Sequence, residues 1–367
     1  MAFCFVSDAD TLRLVQSAAI FLFAITLLLL IVVVAMRVSL RLRERRRRRL
    51  VAVWQPILSK AVDVATSDLP RLARRDLPDF LFVWNHLHES LLDESKNRLN
   101  QIARALQIGQ VALRMLRTWN LRERLVAIVT LGELREHAAW DELWLMTQQE
   151  GPLVSLAAAR SLVMIDAGKA VPQIIPLLLT RGDWPPSRVV EMLQTAGADV
   201  ISDQLAAAAI KSAMEDTTSD ANGAGNSEPN YAARMVRYLE LAYNASALPA
   251  ARAIAQSSHD PEVLAACLRL LKSSEDLTIV RPLLAHEDWR VRVQAASTVG
   301  RIGEIDDEKR LLPLLSDRQW WVRYRAAQAL AHLPSMRESK LKIIQAAQTN
   351  PFARDILAQV MAEVQYQ

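Results

Sequence analysis

The sequence predicts an all-α protein: an α-solenoid of about seven helical repeats, preceded by one transmembrane helix and a helical cap. Three observations carry this. A signature beginning at Asp288 returns 31 residues later, so that Trp289 falls on Trp320, Val291 on Val322, Arg292 on Arg323 and Ala295-Ala296 on Ala326-Ala327. Self-similarity at a period of roughly 20–50 residues marks stacked-repeat proteins. Residues 14–36 contain no charged side chain. Finally, only ten glycines occur in 367 residues and no run alternates like a strand.

From Leu14 to Met36 the chain is long enough, at 1.5 Å per residue, to cross the roughly 30 Å hydrocarbon layer of a bilayer. The charge order is the reverse of a cleavable signal peptide. Asp8 and Asp10 precede the apolar run, whereas Arg37, Arg41, Arg43, Arg45, Arg46, Arg47, Arg48 and Arg49 follow it. The positive-inside rule then puts residues 1–14 outside, a span at 15–36, and everything beyond it in the cytoplasm. The arginine-rich segment 37–50 is read as a topology and membrane-surface determinant that also attracts anionic lipid.

The charge distribution restricts function further. Residues 1–50 hold nine basic side chains and three acidic ones, and the remainder holds 35 basic against 37 acidic. The basic balance belongs to the juxtamembrane stretch, so the body carries no nucleic-acid footprint. Cys4 and Cys267 cannot make a disulfide framework.

Residues 51–118 lack the repeat signature and are assigned as the helical N-terminal cap that a solenoid needs. Val51 to Ala65 is expected to form a helix bent or restarted near Pro56. Asp79 is expected to cap a helix that buries Leu81, Trp84, Leu87 and Leu91, and two more helices are expected at about Glu94–Leu106 and Gly109–Thr118.

In the signature, positions 291, 295, 299 and 302 form one apolar stripe at helical spacing, and the alanine pair marks close helix approach. Looser copies occur at Arg124–Leu134, at Val154–Leu162 with Ala158-Ala159 on the alanine pair, and at Val263–Leu271 with Cys267 in an alanine slot. Second helices are expected at Trp140–Met146, Val171–Leu179, Leu277–Leu284 and Lys309–Leu315. Units start near 119, 151, 183, 231, 260, 288 and 319, so the array covers 119–347, and 348–367 supply a C-terminal capping helix. Residues 215–229 have no aromatic or branched aliphatic side chain and are expected to be a disordered insertion.

An acidic residue, then Val-Arg, Ala-Ala and a Leu-Gly-like pair resembles the HEAT repeat, in particular the variant shared with phycobilisome lyase-like proteins. The Phe80–Leu92 run ahead of the array resembles bacterial membrane-anchored proteins of that kind. The resemblance implies a helical scaffold that binds proteins. It also implies that Arg292 and Arg323 bond to acidic or carbonyl groups of the adjoining unit, Asp288 and Asp317 being the candidates; the recurring Asp288, Trp289 and Trp320 are likewise expected to be structural. Some HEAT-like enzymes carry His-Glu pairs in their repeat helices, but His88-Glu89 and His286-Glu287 fall outside that slot, which here holds Arg292-Val293 and Arg323-Tyr324.

No catalytic, metal or cofactor site is therefore expected. Trp321 occupies the slot of Arg290, the solvent side of the helix, and with Trp144 is a candidate partner contact. The sequence reading is a bacterial inner-membrane, single-pass scaffold with a membrane-associated protein partner and no nucleic acid or small-molecule substrate. The competing readings are a lyase or hydroxylase and an anionic-lipid surface protein.

Overall fold

The computed structural model of the protein describes residues 8–61, 69–70, 72–91, 93–219, 230–334 and 336–365. Every regular element among them is helical. The chain divides into two compact units, Met1–Leu134 and Arg135–Gln367.

Unit 1 begins with α1 (Asp8–Ala61), a helix of 54 residues that includes Pro56. The apolar stretch, the arginine segment and the start of the cap are thus one element. The bend or restart expected at Pro56 does not end the helix. Pro56 is exposed, and the neighbouring Trp54 and Leu58 are buried against the cap, which holds the axis across the missing N–H. The expected continuation beyond Ala61 falls partly outside the described residues. From Phe21 onward α1 is long and apolar enough to cross a membrane.

The further helices of unit 1 are α2 (Leu77–Glu89), α3 (Asp93–Ala105) and α4 (Ile108–Met115), in the stretch expected to cap the array, and α5 (Leu121–Glu133), in the first expected repeat. In α2 the cap position is Asp76, and Asp79 lies in the first turn, because Pro78 needs no N–H partner there and the helix starts three residues earlier than expected. Its buried residues are Phe80, Leu81, Trp84 and His88, whereas Leu87 and Leu91 are only half-buried. Trp54 of α1 meets Phe80 edge-on, with ring centroids 4.8 Å apart. His88 is buried between Glu133, whose Oε2 lies 2.7 Å from Nδ1, and Asn100, whose Oδ1 lies 3.0 Å from Nε2.

Unit 2 opens with α6 (Trp140–Gln149) and stacks helix pairs: α7 (Pro152–Ile165) with α8 (Ala167–Leu177), α9 (Pro186–Ala196) with α10 (Ala198–Ser219), α11 (Tyr231–Tyr238) with α12 (Asn244–Ser257). There follow α13 (Pro261–Leu270) with α14 (Leu277–Leu283), α15 (Trp289–Ile302) with α16 (Glu308–Leu311), and α17 (Trp320–His332) with α18 (Glu338–Ala347). The last helix is α19 (Pro351–Gln365). The boundary at Leu134 leaves α5 in unit 1 and its expected repeat partner α6 in unit 2. Of the expected insertion, residues 215–219 continue α10, and 220–229 lie outside the described residues.

The repeat signature explains the stacking. Side chains of Asp260 and Asp288 accept the first free N–H groups of α13 and α15. Val291, Ala295, Ala296 and Val299 of α15, and Val322, Ala326, Ala327 and Leu330 of α17, are wholly removed from solvent. A Cβ on Gly300 would lie 2.9 Å from the Cα of Ala329, so the two signature helices touch backbone to backbone there. The second helix of this pair is shorter than expected. Pro313 cannot continue the α-helical hydrogen bonding, and Leu312–Ser316 finishes as a 3-10 turn.

Candidate protein-interaction site

The last signature helices present both their structural arginines and their exposed aromatics. Arg292 of α15 donates from Nε and Nη2 to the two carboxylate oxygens of Asp317, at 2.8 and 3.0 Å, and from Nη1 to the carbonyls of His286 and Glu287. It therefore fastens the turn before its own helix to the turn before the next one. The expected bond to Asp288 is not formed. Asp288 caps its own helix through Arg290 N–H at 2.7 Å and pairs with the Arg290 side chain, which holds its carboxyl below the ordinary range. Arg323 reaches the carbonyls of Asp317 and Arg318, and its guanidinium lies 5.3 Å from the Phe352 ring centroid. At this end the next turn offers Asn350, occupied in capping Phe352 N–H, so an aromatic face replaces the acid.

A second ladder runs along the other helices and was missed in the sequence. Asp276 and Asp307 are fully buried, lie 31 residues apart and each end a 3-10 turn. Asp276 accepts from Arg252 of α12 at 2.5 Å and from the N–H groups of Lys272 and Ser273. Asp307 accepts from Arg281 of α14 at 2.7 and 3.0 Å and from Glu304 N–H at 2.9 Å. Burial pushes the Asp307 carboxyl up. The hydrogen bonds from Arg281 and Glu304 N–H, with the charges of Arg281 and Arg310, outweigh it and hold the group below its ordinary value. Arg281 is correspondingly pushed up by its bonds to Asp307 and Glu304. The signal was the shared 31-residue offset of the two aspartates, which carries no hydrophobic pattern.

The aromatic side chains occupy the solvent side of the signature helices. Trp289 and Trp320, expected to be packed, are 38% and 40% exposed, and Trp321 is 53% exposed. The inner face is already filled by the Val-Ala-Ala stripe, which leaves the first-turn tryptophans at the rim. Trp320 meets Trp321 edge-on, with centroids 4.7 Å apart, and stacks on Tyr324 at 5.1 Å with the rings 9° from parallel. Tyr324 is fixed in turn. Its hydroxyl donates to Glu363 at 2.8 Å and accepts from Gln328, and the bond to Glu363 raises the phenol above its ordinary value. One repeat earlier, Trp289 lines a shallow groove of about 290 Å³ with Pro261, Ala265, Arg269, Arg290 and Gln294. An exposed aromatic cluster braced through Tyr324, with a shallow groove at the equivalent tryptophan one repeat earlier, suits hot-spot binding of a protein surface, where tryptophan and arginine are enriched.

Trp144 is half-buried on α6 and takes no part in this cluster. The histidines of the His-Glu pairs are engaged in structure: His88 bonds with Asn100 and lies 2.7 Å from the Glu133 carboxylate, and His286 accepts Asp288 N–H at 3.0 Å. Cys267 is buried, and desolvation pushes its thiol up to about 12. Of the juxtamembrane arginines, Arg37, Arg41, Arg45, Arg46, Arg48 and Arg49 are exposed, and the side chain of Arg43 is outside the described ones. Arg47 is half-buried and lies 5.2 Å from the Phe82 ring centroid.

The family model for HEAT repeats matches residues 277–362, the segment that holds the Arg292 and Arg323 contacts, the Arg281–Asp307 rung and the Trp320, Trp321 and Tyr324 side chains. No curated protein matches the chain. Among solved structures, it is similar to the karyopherin Kap121p bound to the SUMO protease Ulp1p, at 11% identity and a TM-score of 0.48, covering 80% of this chain and 37% of that one. A second structure of Kap121p gives 12% identity and a TM-score of 0.48, with 81% of this chain and 38% of that one covered. An engineered protein gives 17% identity and a TM-score of 0.33, with 84% and 88% covered. The chain thus spans less than half the length of Kap121p. With the 31-residue register, the stacked helix pairs and the family match in hand, the chain contains HEAT repeats, matched by the family model over residues 277–362.

Proposed function

We propose that this protein is a membrane-anchored scaffold whose HEAT array, on the cytoplasmic side, binds a membrane-associated protein. The observation that carries the reading is the Trp320–Trp321–Tyr324 cluster, held rigid by Glu363 and Gln328 yet open to solvent. Anchoring is supported by the apolar length of α1, and orientation by the arginines on its C-terminal side. Confinement to a membrane raises the effective concentration toward partners held there. The variant of the array shared with phycobilisome lyase-like proteins and a bacterial inner-membrane location belong to the same proposal, and rest on the sequence resemblance.

The test is a crosslinking capture from membranes with full-length protein and with Trp321→Ala. Trp321 is the most exposed of the three clustered or aligned tryptophans, so the truncation is expected to leave thermal stability within about 0.5 kcal/mol, as for surface positions generally. Loss of the captured partner with the fold intact supports the reading. Undiminished capture removes the cluster from the interface.

A further inference from the structure

Unit 1 carries a second exposed apolar feature that the scaffold reading leaves unused. The turn between α4 and α5 holds Trp119, completely exposed at 104% of its reference area, and Leu121 at 48%. The turn is a built one. Asn120 accepts Arg122 N–H at 3.1 Å and donates to Glu123 at 3.0 Å, so its shape owes nothing to the Trp119 side chain. Arg114 and Arg122 are exposed on either side of it.

Its place is fixed by Phe82. The Arg122 guanidinium lies 5.3 Å from the Phe82 ring centroid, and that of Arg47, on α1, lies 5.2 Å from it. The turn therefore sits beside the juxtamembrane arginine run. Arg47 comes eleven residues after Met36, on the order of 16 Å along a helix axis. Long side chains on helices lean back toward the helix N-terminus, which for α1 is the side of the apolar stretch. A headgroup layer adds about 5–8 Å to each side of the hydrocarbon, so the Phe82 region and the turn come within side-chain reach of it. Two carboxylates of this region are engaged, Glu123 with Asn120 at 3.0 Å and Glu44 with Arg48 at 2.9 Å.

We infer that the Trp119–Arg122 turn is a second membrane contact, in which Trp119 and Leu121 enter the interfacial layer of an anionic bilayer while Arg122 and Arg114 bind its headgroups. Tryptophan is enriched at that depth because its ring is apolar and its N–H polar. Basic side chains near an anionic surface add attraction that decays within a Debye length. The inference rests on the anchored reading of α1. It adds that the cap lies against the membrane, held at two points instead of hanging from a tether.

The test uses the full chain with Cys4→Ser, in which buried Cys267 stays unlabelled because its thiol is pushed up to about 12. A single Trp119→Cys is labelled with an environment-sensitive fluorophore and the protein is reconstituted into phosphatidylcholine vesicles with or without phosphatidylglycerol. A parallel sample carries the label at Ile25→Cys. The expected result is blue-shifted emission at position 119, quenched by headgroup-nitroxide lipid, in the anionic vesicles. Both effects should be lost with Arg122→Glu, a change that suits the first turn of α5 and preserves the helix.

A label at 25 that is shielded while the label at 119 remains water-exposed in both vesicle types overturns the inference and leaves the anchor standing. A shielded but unquenched label at 119 means that protein covers the turn, and also overturns it. A water-exposed label at 25 removes the anchor itself.

Discussion

Asp307 shows how a single buried carboxylate ties stability to pH in this chain. Its folded-state affinity for protons is below that of an ordinary aspartate. Its stabilising contribution is therefore fully present above the unfolded-state value, about 4, and is lost as pH falls through the lower folded-state value. Asp307→Asn is expected to cost about 2–3 kcal/mol at neutral pH, because Arg281 keeps only part of its hydrogen bonding and is left with the more exposed Glu304 as its charge partner. Urea denaturation between pH 7 and 3 checks this. The difference between variant and parent should shrink toward the acid end, and a constant difference would exclude the linkage. Asp288, held low by Arg290 at a more exposed site, should give a smaller effect of the same sign.

At the scale of the element, the clearest constraint is the crossing of α15 and α17. Gly300→Ala would drive a methyl group to 2.9 Å from the Ala329 Cα, where no flexible side chain can yield. The expected loss is about 1–3 kcal/mol, the usual range for overpacking, measurable as a lower denaturation midpoint with unchanged slope. The helix register and the buried Val-Ala-Ala stripe were legible in the sequence, because packing against a neighbour imposes a 3.6-residue period on apolar side chains. The partners of the arginines were less so. Whether Arg292 bonds Asp288 or Asp317 depends on the direction in which the next turn is stacked, and both acids lie at plausible separations along the chain. The exposure of Trp289 and Trp320 was misread for a related reason: recurrence marks a repeat position without saying on which side of the helix the ring ends. Pro56, similarly, announces a lost hydrogen bond in sequence, while the burial of Trp54 and Leu58 that keeps α1 running is visible only in three dimensions.

For the whole molecule, stability in a stacked array is a sum of repeat and nearest-neighbour terms, so its ends need covering. Helix α19 does this for α17, burying Ala353, Ile356, Leu357 and Val360. Deleting residues 351–367 is expected to expose that face and shift the protein from a single peak to higher assemblies on size-exclusion chromatography. The continuity of α1 has a mechanical meaning as well. If α1 spans the membrane as proposed, one helix carries both the span and the surface that receives the cap, and its winding would set the compass bearing of the cap around the bilayer normal. One alanine inserted between Glu44 and Arg45 would lift the cap by only about 1.5 Å but swing it through about 100°, whereas four would bring it back to within about 40° of its starting azimuth. Labelling at position 119 should follow that phase, lost with one inserted residue and recovered with four, as expected of a shaft and not of a tether.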